Sequence, residues 1–217
     1  MSPKQTTLLR GEIFAALDPR LAIWDFGRKK SSFEWFRRPR PGVVQGIHLN
    51  CAAYESVGRL HIIPTLETGL ELVEAALVES GQKRPVKDGI SFGRQLTTML
   101  RCEYIASIQE GSAPIVARLA ADIERHGLPC LEELSSLERL AESLALPTPH
   151  DWPILLGRSQ RARLLPLVLA LMGRTEDAID CLGRLRQELA ERGELQPDFD
   201  AFGAWLQRRC GSVRTDR

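Results

Sequence analysis

The chain has 217 residues, of which 43% are hydrophobic and 26% charged, and its formal net charge is +1. That composition excludes a long disordered polyelectrolyte, and the small net charge excludes a molecule whose overall field draws in polyanions. The length supports one large core or two small ones.

The order of elements begins with a helix. Ser2 is placed to cap it, Pro3 suits its first turn, and Leu9, Ile13 and Leu17 recur on one face. Asp18–Pro19–Arg20 is expected to end it, because proline cannot continue the hydrogen-bond ladder. A strand is expected in "SFEWF", where Phe33 and Trp35 share a face across Glu34. "RRPRPG" then reads as a hairpin loop kept at the surface by two prolines. From Val43 to Ala53, apolar Val43, Ile47, Leu49, Cys51 and Ala53 fall on odd positions, with His48 and Asn50 between them. This period of two marks a strand with one buried face. Tyr54–Gly58 is turn-like and Arg59–Ile63 offers a return strand, so Phe33–Ile63 is expected to form an antiparallel meander.

Pro64–Gly81 is predicted to be a helix. Thr68 and Glu71 fit a capping box, Leu70, Val73 and Leu77 form a stripe, and Gly81 supplies the stop. After a polar linker, "ISFGRQLTTML" and "CEYIASIQ" are read as two further strands. The chain then turns helical. Ser112 caps a helix carrying Ile115, Leu119 and Ile123, and Gly127 and Pro129 are expected to stop it. Ser135 and Glu138 fit a second capping box, and Leu146–His150 reads as a linker. The runs on either side of Gly173 form a pair of antiparallel helices, resembling one tetratricopeptide hairpin, but its period does not recur. The expected fold class is therefore α+β, an antiparallel sheet with flanking helices followed by a C-terminal helical region. The expected division is a sheet domain over residues 1–111 and a helical region over 112–217 packed on it, or one single domain.

The motifs that would carry covalent chemistry are weak. "GISFG" is a literal G-x-S-x-G around Ser91, but the residues before it are polar and include Pro85, whereas a nucleophile elbow follows a buried strand. Asp122 and His126 follow in the right chain order for a triad, yet their i, i+4 spacing suits pairing on one helix. His48, His61, His126 and His150 show no HxxxH or HExxH spacing, so no metal is expected. Glu67, Glu71 and Glu74 share one side of the predicted helix and read as its wet face. Neither a phosphate-cradling glycine loop nor any other cofactor motif occurs. The five cysteines are odd in number and without a CxxC pair, which fits reduced thiols in a cytoplasmic protein. The longest apolar run, Leu164–Met172, is too short to span a bilayer, so no membrane association is expected.

Charge is the remaining signal. Nine of the 29 Lys/Arg and four of the 28 Asp/Glu fall in residues 1–50, which therefore carry +5 while the remainder carries −4. Most of that excess lies in "FGRKKSSFEWFRRPRPG", where Arg28, Lys29, Lys30, Arg37, Arg38 and Arg40 surround Phe33, Trp35 and Phe36. Two recognition roles suit such a stretch. A protein partner would use its arginine and aromatic side chains, and a nucleic acid would use the cations on phosphates and the rings on bases.

The same stretch, continued through "GVVQGIHLNCAAYESVGRLHIIP", together with "ADIERHGLPCLEELSSLERL" and "LLPLVLALMGRTEDAIDCLGRL", resembles a class of uncharacterised bacterial α+β proteins. Some members of that class are similar to immunity proteins of polymorphic toxin systems. The resemblance implies a protein that acts by binding another protein, such as a toxin, and transfers no catalytic residue. The expected function is thus non-catalytic protein binding, of the kind an immunity inhibitor performs. The expected contact residues are Trp35, Phe36, Arg37, Arg38, Arg40, Arg28, Lys29 and Lys30. The alternatives are a nucleic-acid-binding module using the basic stretch 28–40 and a serine hydrolase at Ser91.

Overall fold

The computed structural model describes residues 4–28, 33–82, 92–146 and 158–212. It is α+β, with a six-stranded antiparallel sheet, flanking helices and a helical C-terminal region. The chain forms two compact units. One comprises residues 1–68 and 93–132, the other residues 69–92 and 133–217, so Gly111 lies inside the first.

The first unit opens with α1 (Lys4–Ala22), which buries Leu9, Ile13, Phe14, Leu17 and Leu21. Helix α1 runs through Pro19 instead of stopping there. Proline removes one ladder bond, but burial of Leu21 and of Phe26 just beyond offsets that loss so close to the helix end. The chain then leaves through Asp25 in a left-handed conformation, φ 63°, which aspartate tolerates better than most residues.

The sheet follows as β1 (Gly27–Arg28), β2 (Glu34–Arg40), β3 (Val43–Tyr54), β4 (Arg59–Leu70), β5 (Phe92–Gln95) and β6 (Tyr104–Ser107). Its order is β1-β2-β3-β4-β5, with β6 also paired to β4. The expected loop Arg37–Gly42 is instead mostly strand. β2 continues to Arg40 through an irregularity between Arg37 and Arg40, and only Pro41 and Gly42 turn the chain, Gly42 at φ 76°. Pro39 is admitted because it sits in that irregular stretch, beyond the last β1–β2 pair at Phe36. The alternation predicted for β3 is present: Ile47 and Leu49 are buried while Asn50 is exposed.

β4 is longer than expected. It passes Pro64 and reaches Leu70, so α2 spans only Glu71–Glu79 and its N-cap residue is Leu70. Thr68 does not cap it: its hydroxyl is buried without a hydrogen-bond partner. Alternating burial of Leu60, Ile62, Leu66 and Leu70 outweighs the capping pattern. The Gly81 stop is present at φ 75°. The stretch "ISFGRQLTTML" also differs. Only Phe92–Gln95 is strand, and α3 (Leu96–Leu100) follows, while Tyr104–Ser107 is strand as expected.

α4 (Ala113–Asp122) does not stop at Gly127. It widens into a π turn, Ile123–Gly127, and continues as α5 (Leu128–Leu134) through Pro129. The Leu128 amide reaches back five residues to the Ile123 carbonyl, so the ladder is already offset where proline would break it. Gly127 packs against Leu66, and a Cβ there would lie 3.2 Å from its methyl carbon.

In the second unit, α2 packs on α7 (Arg158–Leu171), which also meets α6 (Leu137–Ala145), α8 (Thr175–Glu191) and α9 (Phe199–Ser212). The cap of α6 is Ser136, not Ser135: its hydroxyl accepts from the Arg139 amide and donates to Glu138 at 2.7 Å. The α7–α8 hairpin turns at Gly173, φ 78°.

Candidate functional site

The basic–aromatic stretch is taken up largely by the first unit's own architecture. Trp35 is 0% exposed, lies edge-on to Phe14 and donates its indole N–H to Asp18 Oδ1 at 2.8 Å. It has no surface with which to meet a partner, so its place among the expected contacts is corrected to the core. Asp18 Oδ2 takes Arg28 at 2.8 Å. A carboxylate at the end of α1 thus fixes both β1 and β2.

Arg37 has a 14% exposed side chain and four separate partners. Its Nε donates to Gln45 Oε1 at 2.7 Å, its Nη1 to the Trp24 carbonyl at 3.1 Å and its Nη2 to Glu132 Oε1 at 3.0 Å. Its guanidinium also stands 4.7 Å from the centre of the Phe26 ring. Buried Gln45 donates to the same Glu132 oxygen at 3.0 Å, and Arg40 lies 3.6 Å from the other. Arg37 therefore clamps β2 to the α1–β1 turn and to α5. Phe36 is half-buried, while Arg38 and Arg40 are exposed. Lys29, Lys30 and Ser91 lie outside the described residues.

Beyond these residues, the sheet itself offers a surface. Ile47, Leu49, Leu60 and Ile62 point to the core, so the alternate positions of the same strands point away from it. Glu34 and His48 are opposite one another there, 3.6 Å apart, and His61 is opposite Ile105. This face is covered toward Val44 and opens toward Tyr54. Among the described residues the β2–β3 pairing runs from Arg40 opposite Val43 to Glu34 opposite His48, and the Leu49 amide donates to the Phe33 carbonyl at 3.0 Å. The last residue of β3 and the turn after it expose Tyr54 (54%) and Val57 (62%), and β6 beside β4 exposes Ile105 (42%). The alternation read from Val43 to Ala53 carries one residue further, so Tyr54 ends β3 instead of opening the expected turn.

The titratable groups on the sheet respond to burial. Burial, with Glu34 nearby, pushes the Glu67 carboxyl above its ordinary range. Glu67 lies on β4, not on the helix with Glu71 and Glu74. Burial lifts the Cys51 thiol to about 11, only partly opposed by Arg10, which makes it a poor nucleophile. Tyr104 is held well above its ordinary range by burial and by its hydrogen bonds, including one donated to Asp122 at 2.9 Å. Asp122 also lies 3.7 Å from Arg118. Among the described residues no three His, Cys, Asp or Glu side chains are grouped to hold a metal ion, and no helix is long and apolar enough to cross a membrane.

No protein-family model, curated protein or solved structure matches the chain.

Proposed function

We propose that the chain is a non-catalytic protein-binding module, acting on its partner as an immunity protein acts on a toxin. The observation that carries this reading is the exposed apolar group at the open end of the sheet, Tyr54, Val57 and Ile105. Interface cores favour an aromatic anchor with aliphatic neighbours, which Tyr54, Val57 and Ile105 supply. Inhibition by occlusion needs only a complementary surface.

The test is titration calorimetry against the protein that co-purifies with the chain from its native host. Tyr54→Ser combined with Ile105→Ser is expected to weaken binding at least tenfold without changing the circular dichroism spectrum. Unaltered affinity in that double variant contradicts the reading.

The nucleic-acid reading draws less support, because Arg28, Arg37 and Arg40 each face a carboxylate of the same unit. Salt titration against single-stranded oligonucleotides separates the two. A steep loss of affinity with salt, removed by Arg38→Glu with Arg40→Glu, favours nucleic acid.

A further inference from the structure

The register of β4 and β6 sets one titratable side chain inside the proposed docking surface. His61 is the cross-strand partner of Ile105, and Arg59 that of Ser107. The Ile108 amide donates to the Gly58 carbonyl at 3.0 Å, which fixes the phase of the ladder. Leu60–Ala106 and Ile62–Tyr104 are therefore hydrogen-bonded pairs, and His61–Ile105 is a pair of the other kind. Side chains in such pairs approach most closely, with Cβ atoms about 4.5–5.5 Å apart. Leu60, Ile62, Tyr104 and Ala106 are buried, so the half-buried His61 and the exposed Ile105 share the outward face. A partner seated on Ile105 must cover this imidazole.

Histidine gains its charge between about pH 5 and 8. Two charged groups of opposite sign flank His61 on this face: Arg59, two positions before it on β4, and Glu103, two positions before Ile105, both exposed. On the other side β3 turns Asn50, Ala52 and Tyr54 outward, none of them ionised in that range. Among the described residues His48 has Glu34 at 3.6 Å, whereas His61 forms no ion pair. Under a docked apolar surface, a charged His61 would lose its water without gaining a carboxylate from this chain. We propose that His61 is a proton gate on the docking surface: the partner is held while the imidazole is neutral and released as it is protonated. The gate rests on the reading that Tyr54 and Ile105 meet the partner. Binding that favours the neutral form releases protons, so affinity is complete above the histidine range and falls as pH drops through it.

The test is titration calorimetry of the full chain with the protein that co-purifies with it, at about pH 7.5 and about pH 5.5, the two sides of the histidine range. Circular dichroism at both values checks that the chain stays folded. The parent is expected to bind on the order of tenfold more weakly at the lower pH. His61→Gln is expected to bind equally at both, whatever its affinity, which separates this imidazole from any titrating group of the partner. His48→Gln is expected to keep the parent's ratio, because that ring faces Glu34 and not Ile105. Equal affinity of the parent at both values, tighter binding in acid, or an unchanged ratio in His61→Gln overturns the gate. Unaltered affinity of Tyr54→Ser/Ile105→Ser at the higher pH instead overturns the surface, and the gate with it. A weakened double variant beside a parent indifferent to pH overturns the gate alone.

Discussion

Asp18 accepts the Trp35 indole on one oxygen and Arg28 on the other. Asp18→Ala leaves a buried N–H with no acceptor, and a lost hydrogen bond to a charged group costs about 1.5–3 kcal/mol. Thermal unfolding should fall by roughly 3–10 °C for a chain of this size. An unchanged midpoint contradicts the assigned role. Arg37→Ala should cost about 2–4 kcal/mol, because it strips Gln45 and Glu132 of a common partner. Loss of partner binding with no loss of stability would make Arg37 a contact instead of a clamp. Glu67 supplies the pH test. Its folded-state pKa lies above the unfolded value, so the folded state binds the proton more tightly. Stability is therefore favoured while Glu67 is protonated and is lost as pH rises through the folded pKa. Glu67→Gln should unfold at a higher temperature than the parent at pH 7, and the gap should close below the ordinary value of 4.5. A gap that persists or widens in acid would show that Glu67 is stabilising as a carboxylate.

At the scale of elements, the steric demands are local. A Cβ on Gly93 would lie 2.3 Å from the Leu66 carbonyl oxygen, where backbone must move. Gly93→Ala is expected to destabilise by about 2–4 kcal/mol in urea unfolding, and a neutral result would mean that β5 does not pack on β4 this closely. Much of the element order was legible because period is a strong signal. Leu9, Ile13 and Leu17 gave α1, and the alternation around Ile47 and Leu49 gave β3. Punctuation was less reliable. Pro19 and Pro129 read as stops, yet one falls in a last turn and the other behind a π turn, where the missing N–H costs little. Thr68 and Glu71 matched a capping box, yet Leu66 and Leu70 were needed in the core on the strand period. A capping pattern contributes on the order of 1 kcal/mol, less than burying two leucines.

For the whole molecule, the second unit takes residues 69–92 from the middle of the chain. Helix α2 packs on α7, and Glu79 meets Arg209 at 2.6 Å across 130 positions. No composition shift announces such a pairing, since it depends on which apolar stripes find each other in three dimensions. The basic stretch shows the same limit of the sequence. Its charge was visible in the chain, but its carboxylate partners Asp18 and Glu132 lie on other elements. Apolar exposure at Tyr54 and Ile105 was equally hidden, because it depends on which strands lie beside them, as β6 lies beside β4. The central claim is that this molecule works by surface contact with another protein through that end of the sheet. Calorimetric titration of the co-purifying partner against the parent chain and against Tyr54→Ser/Ile105→Ser tests it most directly. The account predicts a single saturable site in the parent and at least tenfold weaker binding in the double variant. Identical isotherms for the two would contradict it.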